Sequence, residues 1–456
     1  MTLALQALPL ALLLVLLATG RAGPATACLA ALAASLPALA LTLDGPVLPF
    51  LLAETPRAAW LALQPLAIMT GGLLFHAAVE GEGDAEQRPA SPARIFAVTL
   101  PLGAFLESVT GFAVGAVFAL AALRRMGLRG PVAVALSLHA LVLVPWGALG
   151  PGTALGAALV GISAHDSAAL SAWPSAAWVV SLAPVLWSLQ ARAGQAPPWQ
   201  EASVQALGLL AIGVGLVLWH CVLPFEVVGI AATGPVAAWA LWRADPPRDL
   251  RTALGAAWPY LLLIACLLLA RAVPGMPEMR PFPDLPGFSL THVAVVLWAV
   301  SLALLLSRGR IGRSAAALAR ARRPALTLML YVVFGRWLAG GGIAAALAGA
   351  LAGAGAAYAV VPMGFLTGFV TGSNVSSNAA LMPVQAALGA ALGWPPLLAP
   401  ALHNYAGASG AGLAIAGTAM LCALDGTARP GQVWRLALPM AGLALLWGTV
   451  AMLAWR

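Results

Sequence analysis

The chain has 456 residues, of which 61% are hydrophobic and only 8% charged, with a formal net charge of +8. A mean hydropathy of +0.93 excludes a soluble globule and matches a polytopic membrane protein, for which lipid is the main solvent. A basic balance of this kind would suggest nucleic acid in a soluble domain. Here every basic side chain is arginine, placed in short loops between apolar stretches. The positive-inside rule accounts for that pattern, and no nucleic-acid partner is expected.

In chain order, windows nearly free of charge occupy 3–19, 25–43, 58–79, 130–162, 171–190, 203–223, 224–242, 252–270, 289–306 and 324–358, then the stretches around 359–400, 401–424 and 433–455. Since about 20 apolar residues cross the hydrocarbon core, these predict an all-α polytopic membrane protein of about 12 spans, give or take two. The first window is followed by the small-residue stretch Ala22 to Ala27, as in a signal peptide. It lacks a basic leading region and runs at once into another apolar segment, so it reads as a membrane helix. Arg124, Arg125 and Arg129 mark one cytoplasmic loop, Arg243, Arg248 and Arg251 a second, and Arg308, Arg310, Arg313, Arg320, Arg322 and Arg323 a third. Even numbers of predicted spans separate them, which agrees with a common side. The expected location is a bacterial inner or plasma membrane. The acidic run EGEGDAEQR (80–88) reads as a solvated loop.

Cys28, Cys221, Cys266 and Cys422 lie singly in apolar stretches and read as small hydrophobes. No GxxxxGK[ST] loop occurs, so an ATP-driven pump of the common kind is excluded and any transport is passive or ion-coupled. With no metal-ligand spacing and no nucleophile–base pair, no enzyme, metal site or cofactor is expected.

Two regions resemble one another. GAFLESVTGFAVGAV (103–117) is followed by HALVLVPWGALGPG (139–152), and GFLTGFVTGSNVSSN (364–378) by HNYAGASGAGLAI (403–415). Val109 to His139 is 30 residues and Val370 to His403 is 33. Non-helical polar backbone at membrane depth must line a cavity or be buried in protein, and half-helix ends direct partial charges at a ligand. The reading is therefore two inverted repeats with re-entrant hairpins and broken helices. The N-terminal repeat half covers 1–242 with a hairpin at about 95–122. Residues 243–323 form connecting spans and the basic loop. The C-terminal half covers 324–456 with a hairpin at about 359–385.

The segment GAFLESVTGFAVG resembles the GAFLEG-type segment of the lactate permease family, and TGSNVSSNAALMPVQ (371–385) is similar to that family's TGSN-x-SSN-x-L-x-x-x-Q signature. The second match sets Thr371, Gly372, Ser373, Asn374, Ser376, Ser377, Asn378 and Gln385 in one register. The resemblance implies a secondary transporter carrying small 2-hydroxymonocarboxylates, such as lactate or glycolate, together with protons. The chain departs from the pattern where HNYAGASGAGLAIAG replaces a segment running into Ser-Pro-Gln, and where FGRWLAGGG (334–342) introduces Arg336.

Candidate substrate-binding residues are Thr371, Ser373, Asn374, Ser376, Ser377, Asn378, Gln385, Arg336 and Asn404. Asn374 and Asn378, four apart, share a face if that stretch is helical. Amide and hydroxyl oxygens suit a sodium ion as well as a substrate hydroxyl, and such side chains also serve as packing glue between membrane helices. Arg336 could fork onto a carboxylate or snorkel to an interface. Candidate proton-coupling residues are Glu107, His139 and His403. Twelve residues separate Glu107 from the nearest charge, Arg94, and an ionisable group at such depth costs several kcal/mol unless neutralised or partnered. The alternatives are a structural carboxyl at the hairpin and satisfied membrane histidines. The expected partners are a small carboxylate, H+ with Na+ left open, and the lipid bilayer. A homodimer is also left open. A non-transporting membrane subunit is the reading of a different class.

Overall fold

The structure, a computed structural model, describes every residue except Met1, 81–88, 247–248, Pro274 and Gly355, and leaves the side chains of Thr252, Ala253 and Ala256 undescribed. The acidic run after Glu80, and Arg248, therefore lie outside the described residues.

Helices α1 (Thr2–Ala18) and α2 (Pro24–Thr42) pack on one another, and α3 (Val47–Val79) is 33 residues long. Helix α4 (Pro92–Thr99) continues through Leu100 into α5 (Pro101–Thr110), and α6 (Val114–Arg125) folds back on α5. Helix α7 (Pro131–Ser137) passes into two 3-10 segments, Leu138–Leu141 and Val144–Leu149, before α8 (Pro151–Val160). Then come α9 (Ala164–Ser181), α10 (Ala183–Arg192), α11 (Trp199–Leu218), α12 (Phe225–Ala244) and α13 (Leu250–Ala272). Among the described residues the only strands are β1 (Glu278–Met279) and β2 (Phe288–Ser289), an antiparallel pair. The rest is α14 (Val293–Ser307), α15 (Arg313–Gly340), α16 (Ile343–Gly353), α17 (Val360–Thr371), α18 (Asn374–Ala391), α19 (Leu398–Gly412), α20 (Ile415–Asp425) and α21 (Pro430–Trp455).

The chain is thus an all-α polytopic membrane protein. Among the described residues, eight helical stretches are long and apolar enough to cross a bilayer, and a ninth if α15 and α16, bent by 68°, count as one. The sequence windows point to about twelve, and the difference lies in windows that fold as shorter pieces. Residues 130–162 become α7, two 3-10 segments and α8, and 359–400 becomes α17 and α18. Proline at the first helical position and glycine just past the end account for several of these breaks, since proline lacks the orphan N–H and glycine tolerates positive φ. Helices α5 and α17 both end on the Gly of Val-Thr-Gly, Gly111 at φ +67 and Gly372 at φ +72. Irregular backbone is kept from lipid: Leu138, His139, Leu143 and Trp146 are all buried.

Close helix contacts are made by small residues, as expected where hydrophobic attraction between helices is absent. A methyl group on Gly368 of α17 would sit 1.8 Å from the carbonyl oxygen of Gly407 on α19, and one on Gly410 would sit 2.0 Å from that of Phe365. The backbones of α17 and α19 therefore touch directly.

Candidate functional site

Ser373 begins α18: its backbone is extended, and its Oγ accepts the Ser376 N–H at 3.4 Å. Because the stretch after it is helical, Asn374 and Asn378 lie one turn apart on one face, and both are buried. That face meets α19 and α8. Asn404 Oδ1 accepts from Asn374 Nδ2 at 3.1 Å, from Asn378 Nδ2 at 2.9 Å and from Thr153 Oγ1 at 3.1 Å. Asn378 Nδ2 also donates to Gly152 O at 2.9 Å, which fixes the orientation of its amide and, through it, that of Asn404. On its other side Asn404 Nδ2 donates to Ser171 Oγ of α9 at 3.2 Å. Four helices thus meet at one amide.

The cluster is saturated with donors and short of partners for its acceptors. Asn374 Oδ1 and Asn378 Oδ1 are buried without a hydrogen bond among the described residues, an uncommon state for a buried amide oxygen. Glycines let the backbone in: a methyl on Gly152 would lie 2.8 Å from Asn374 Nδ2 and 3.1 Å from Val375 N. The first turn of α18, whose N–H groups carry the positive end of the helix dipole, therefore faces α8 with no side chain between them.

The other expected residues fall around or away from this cluster. Thr371 Oγ1 bonds back to Thr367 O at 2.7 Å, as hydroxyls in membrane helices commonly do. Ser377 and His403 pair, with His403 Nε2 3.2 Å from Ser377 O and 3.4 Å from its Oγ. Ser376 is buried in the same first turn of α18. Gln385 lies deeper on α18, where its Nε2 donates to Val360 O at 3.2 Å and ties the two arms of the hairpin together. His139 is fully buried, and its Nδ1 lies 3.2 Å from both Ala135 O and Leu136 O. Arg336 is placed elsewhere: its Nε donates to Glu54 Oε2 at 2.9 Å and its Nη2 bonds the same oxygen, so the carboxylate it forks onto belongs to α3.

Glu107 sits at the other hairpin. Its Oε1 accepts the Ala113 N–H at 3.1 Å and its Oε2 the Gly115 N–H at 3.2 Å. The carboxyl thus caps the start of α6, whose own N-cap residue, Ala113, has no side-chain acceptor. Gly147, in the 3-10 segment before α8, is the next neighbour, with Glu107 Oε1 3.9 Å from where its methyl would be. Two residues earlier, Pro145 O lies 2.8 Å from Thr153 Oγ1 and shares that hydroxyl's one hydrogen with Asn404 Oδ1. A short run of irregular backbone therefore links the Glu107 carboxyl to the asparagine cluster.

Sequence reasoning did not single out Thr153 or Ser171. Thr153 stands one residue past the Gly-Pro-Gly break, and Ser171 is the middle of Ser167, Ser171 and Ser175, spaced by one helical turn. Those were the available signals.

The L-lactate permease family matches residues 285–454, from just before α14 into α21. The match contains α17, α18 and α19 and bears out the resemblance read from residues 371–385. The weaker 103–115 segment lies outside it. Among experimentally determined structures, the chain is similar to the YdaH transporter of Alcanivorax borkumensis, at 17% identity over 88% of this chain and 86% of that one, with a TM-score of 0.46. It is also similar to MtrF of Neisseria gonorrhoeae, described as illuminating a class of antimetabolite efflux pumps, at 15% identity over 91% and 85%, with a TM-score of 0.41. No curated protein matches the chain.

Proposed function

We propose, from the match of residues 285–454 to the L-lactate permease family and the chemistry of the asparagine cluster, that this membrane protein is a secondary transporter of small 2-hydroxymonocarboxylates, lactate or glycolate in kind, coupled to protons. The observation that carries the reading is the pair of buried, unpartnered oxygens Asn374 Oδ1 and Asn378 Oδ1 beside the first turn of α18. A 2-hydroxy acid supplies what this arrangement lacks. Its hydroxyl donates to an amide oxygen, and its carboxylate accepts from the N–H groups at the start of α18. With neutral donors and no arginine in the cluster, one negative charge is accommodated better than two.

The two hairpins, α5–α6 and α17–α18, are read as equivalent parts of a duplicated unit, with the carboxylate of Glu107 occupying at α6 the position the substrate carboxylate takes at α18. Glu107 is the proposed proton carrier. Protonation removes an acceptor from the α6 N–H groups, and the change reaches the substrate through Gly147, Pro145 and Thr153. A second reading, sodium coupling, is favoured by the same two amide oxygens, which are hard ligands of the kind alkali cations take. The bacterial inner or plasma membrane is the proposed location, with the arginine-rich loops cytoplasmic.

The test is counterflow of labelled lactate into proteoliposomes of the purified chain, with unlabelled carboxylates as competitors. Lactate and glycolate should compete and succinate should not. Strong competition by succinate alone overturns the substrate class, and absence of all counterflow favours a non-transporting subunit. Uptake driven by a proton gradient in sodium-free buffer decides between the two ions.

A further inference from the structure

Helix α8 has two unlike faces. Gly152, Thr153 and Gly156 face the asparagine cluster: Thr153 bonds Asn404, and a methyl on Gly156 would meet Met382 Sδ at 2.7 Å and Asn378 Nδ2 at 3.0 Å. Pro151, Ala154, Leu155 and Ala158 line a cavity of about 210 Å3 on the other side, bounded by α3, α12 and the segment before α14. Ala154 and Ala158, one turn apart, are only half-buried because they open onto it. A single helix, about 10 Å across with its side chains, separates the cavity from the cluster.

The cavity has a tethered roof. Trp60 Nε1 donates to Pro286 O at 2.9 Å, Gln64 Nε2 to Gly287 O at 3.1 Å, and Phe288 stacks on His292 with ring centroids 4.6 Å apart. Its walls are apolar around Leu155, Phe225 and Val293, and its charges are neutralised. Glu226, a wall residue, is paired with Arg271, whose side chain is half exposed and does not itself line the cavity. The cavity also lies away from the arginine-rich end of the molecule. Arg308 and Arg310 bond Ala78 O at the end of α3, whereas Gln64 stands about 22 Å back along that helix at 1.5 Å per residue. Helix α8 itself is bracketed by Gly150 at φ +74 and Gly161 at φ +70, backbone that L side chains resist.

We propose that this cavity is an access site for the transported acid on the side opposite the arginine-rich loops, and that α8, hinged at Gly150 and Gly161, is the gate between it and the asparagine cluster. A short monocarboxylic acid fits: its apolar body lies against Leu155, Phe225 and Val293, and its carboxyl group lies by Gln64 and His292, polar side chains of the lining. The inference rests on the transport reading for the identity of its ligand, but not for the existence of the site.

The test uses Ala158→Cys in the full chain with its four native cysteines replaced, reconstituted and exposed to a membrane-impermeant, negatively charged thiol reagent. Ala158→Cys should label and Ala157→Cys, buried one residue away, should not. Lactate at about four times its Kd should slow the labelling about fivefold by mass action, and completed labelling should stop counterflow. Asn404→Ala, which disables the cluster, should leave both labelling and its slowing by lactate intact. No labelling at Ala158→Cys, or labelling that no monocarboxylate slows, overturns the access site even where counterflow is normal. Labelling slowed by lactate in a chain that shows no counterflow upholds the cavity and removes the transport reading instead.

Discussion

Asn378 on α18 gives amide hydrogens to Asn404 Oδ1 on α19 and to Gly152 O on α8, both at 2.9 Å. One side chain thereby holds three helices in register while its own oxygen is left without a partner. The residue has a visible structural role, and the unpartnered oxygen is what the proposed binding role rests on.

Asn378→Ala removes two buried donors. With about 1 kcal/mol lost per hydrogen bond and more where a buried acceptor stays unpaired, it should lower the melting temperature in detergent and cut lactate counterflow at least about tenfold. Asn378→Asp should be worse in both measurements despite its better fit, because a carboxylate would face Gly152 O and Asn404 Oδ1 with no hydrogen to offer. An aspartate variant that melts like wild type would mean that the Asn378 amide does not donate to Gly152 O and Asn404 Oδ1.

Gly368 should tolerate no side chain. Its methyl would lie 1.8 Å from Gly407 O, and neither helix can withdraw, because α17 is also held by the approach of Gly410 to Phe365 O. Gly368→Ala should abolish the monodisperse peak in size-exclusion chromatography. Gly349→Ala, where nothing lies within 4 Å, should leave the peak unchanged and gain slightly from the better helix propensity of alanine.

These two residues show what was legible in the sequence. Six hydroxyl and amide side chains in eight residues cannot face lipid, so residues 371–378 declared a buried polar structure, and four-residue spacing put Asn374 and Asn378 on one face on condition that the stretch be helical, which the structure shows it to be. The partners were not legible. Asn404 reaches Thr153 and Ser171 across 251 and 233 residues, and a lone hydroxyl in a membrane helix looks the same whether it bonds back to its own turn or across to another helix. Ser171 Oγ has both kinds of neighbour, Ser167 O at 2.8 Å and Ala401 O at 2.9 Å. Arg336 is the same problem with charge: the sequence left a carboxylate partner and snorkelling to an interface both open, and nothing local said that Glu54 pairs with it. The breaks inside apolar windows were not legible either, because hydropathy averages over proline and glycine and the backbone does not, as between α7 and α8.

Arg336 and Glu54 should behave as one unit. Their side chains are each 15% exposed, so removing either partner leaves a largely buried charge at a cost on the order of 3 kcal/mol. Arg336→Gln and Glu54→Gln should each lower thermal stability by similar amounts. The double variant should lose less than the sum, with a coupling energy of about 1–3 kcal/mol. A substrate-binding role for Arg336 predicts otherwise: lactate affinity would fall in Arg336→Gln and stay normal in Glu54→Gln.

Glu107 is where structural and functional roles compete, and the two hairpins frame the question. Two residues before the Val-Thr-Gly of each stand Glu107 and Gly368, so one hairpin carries a carboxyl and the other has no room for any side chain. Moving an anion inward against an interior-negative potential is opposed by about 2.3 kcal/mol per charge for each 100 mV. A carrier must therefore bring a compensating proton and release it inside. In Glu107→Gln the amide oxygen can still accept the Ala113 N–H, but its NH2 would face the Gly115 N–H, so one of the two caps is lost at a cost of about 1–3 kcal/mol. The variant should fold with a modestly lower melting temperature. It should fail to accumulate lactate under a proton gradient and still exchange internal for external lactate, since exchange needs no net proton movement. Glu107→Ala, which loses both caps, should be impaired in both assays, as a purely structural role also predicts. The decisive observation is the split in the glutamine variant. Accumulation and exchange falling together would leave Glu107 as a cap alone, and undiminished accumulation would remove it from coupling and turn attention to His139, His403 or sodium.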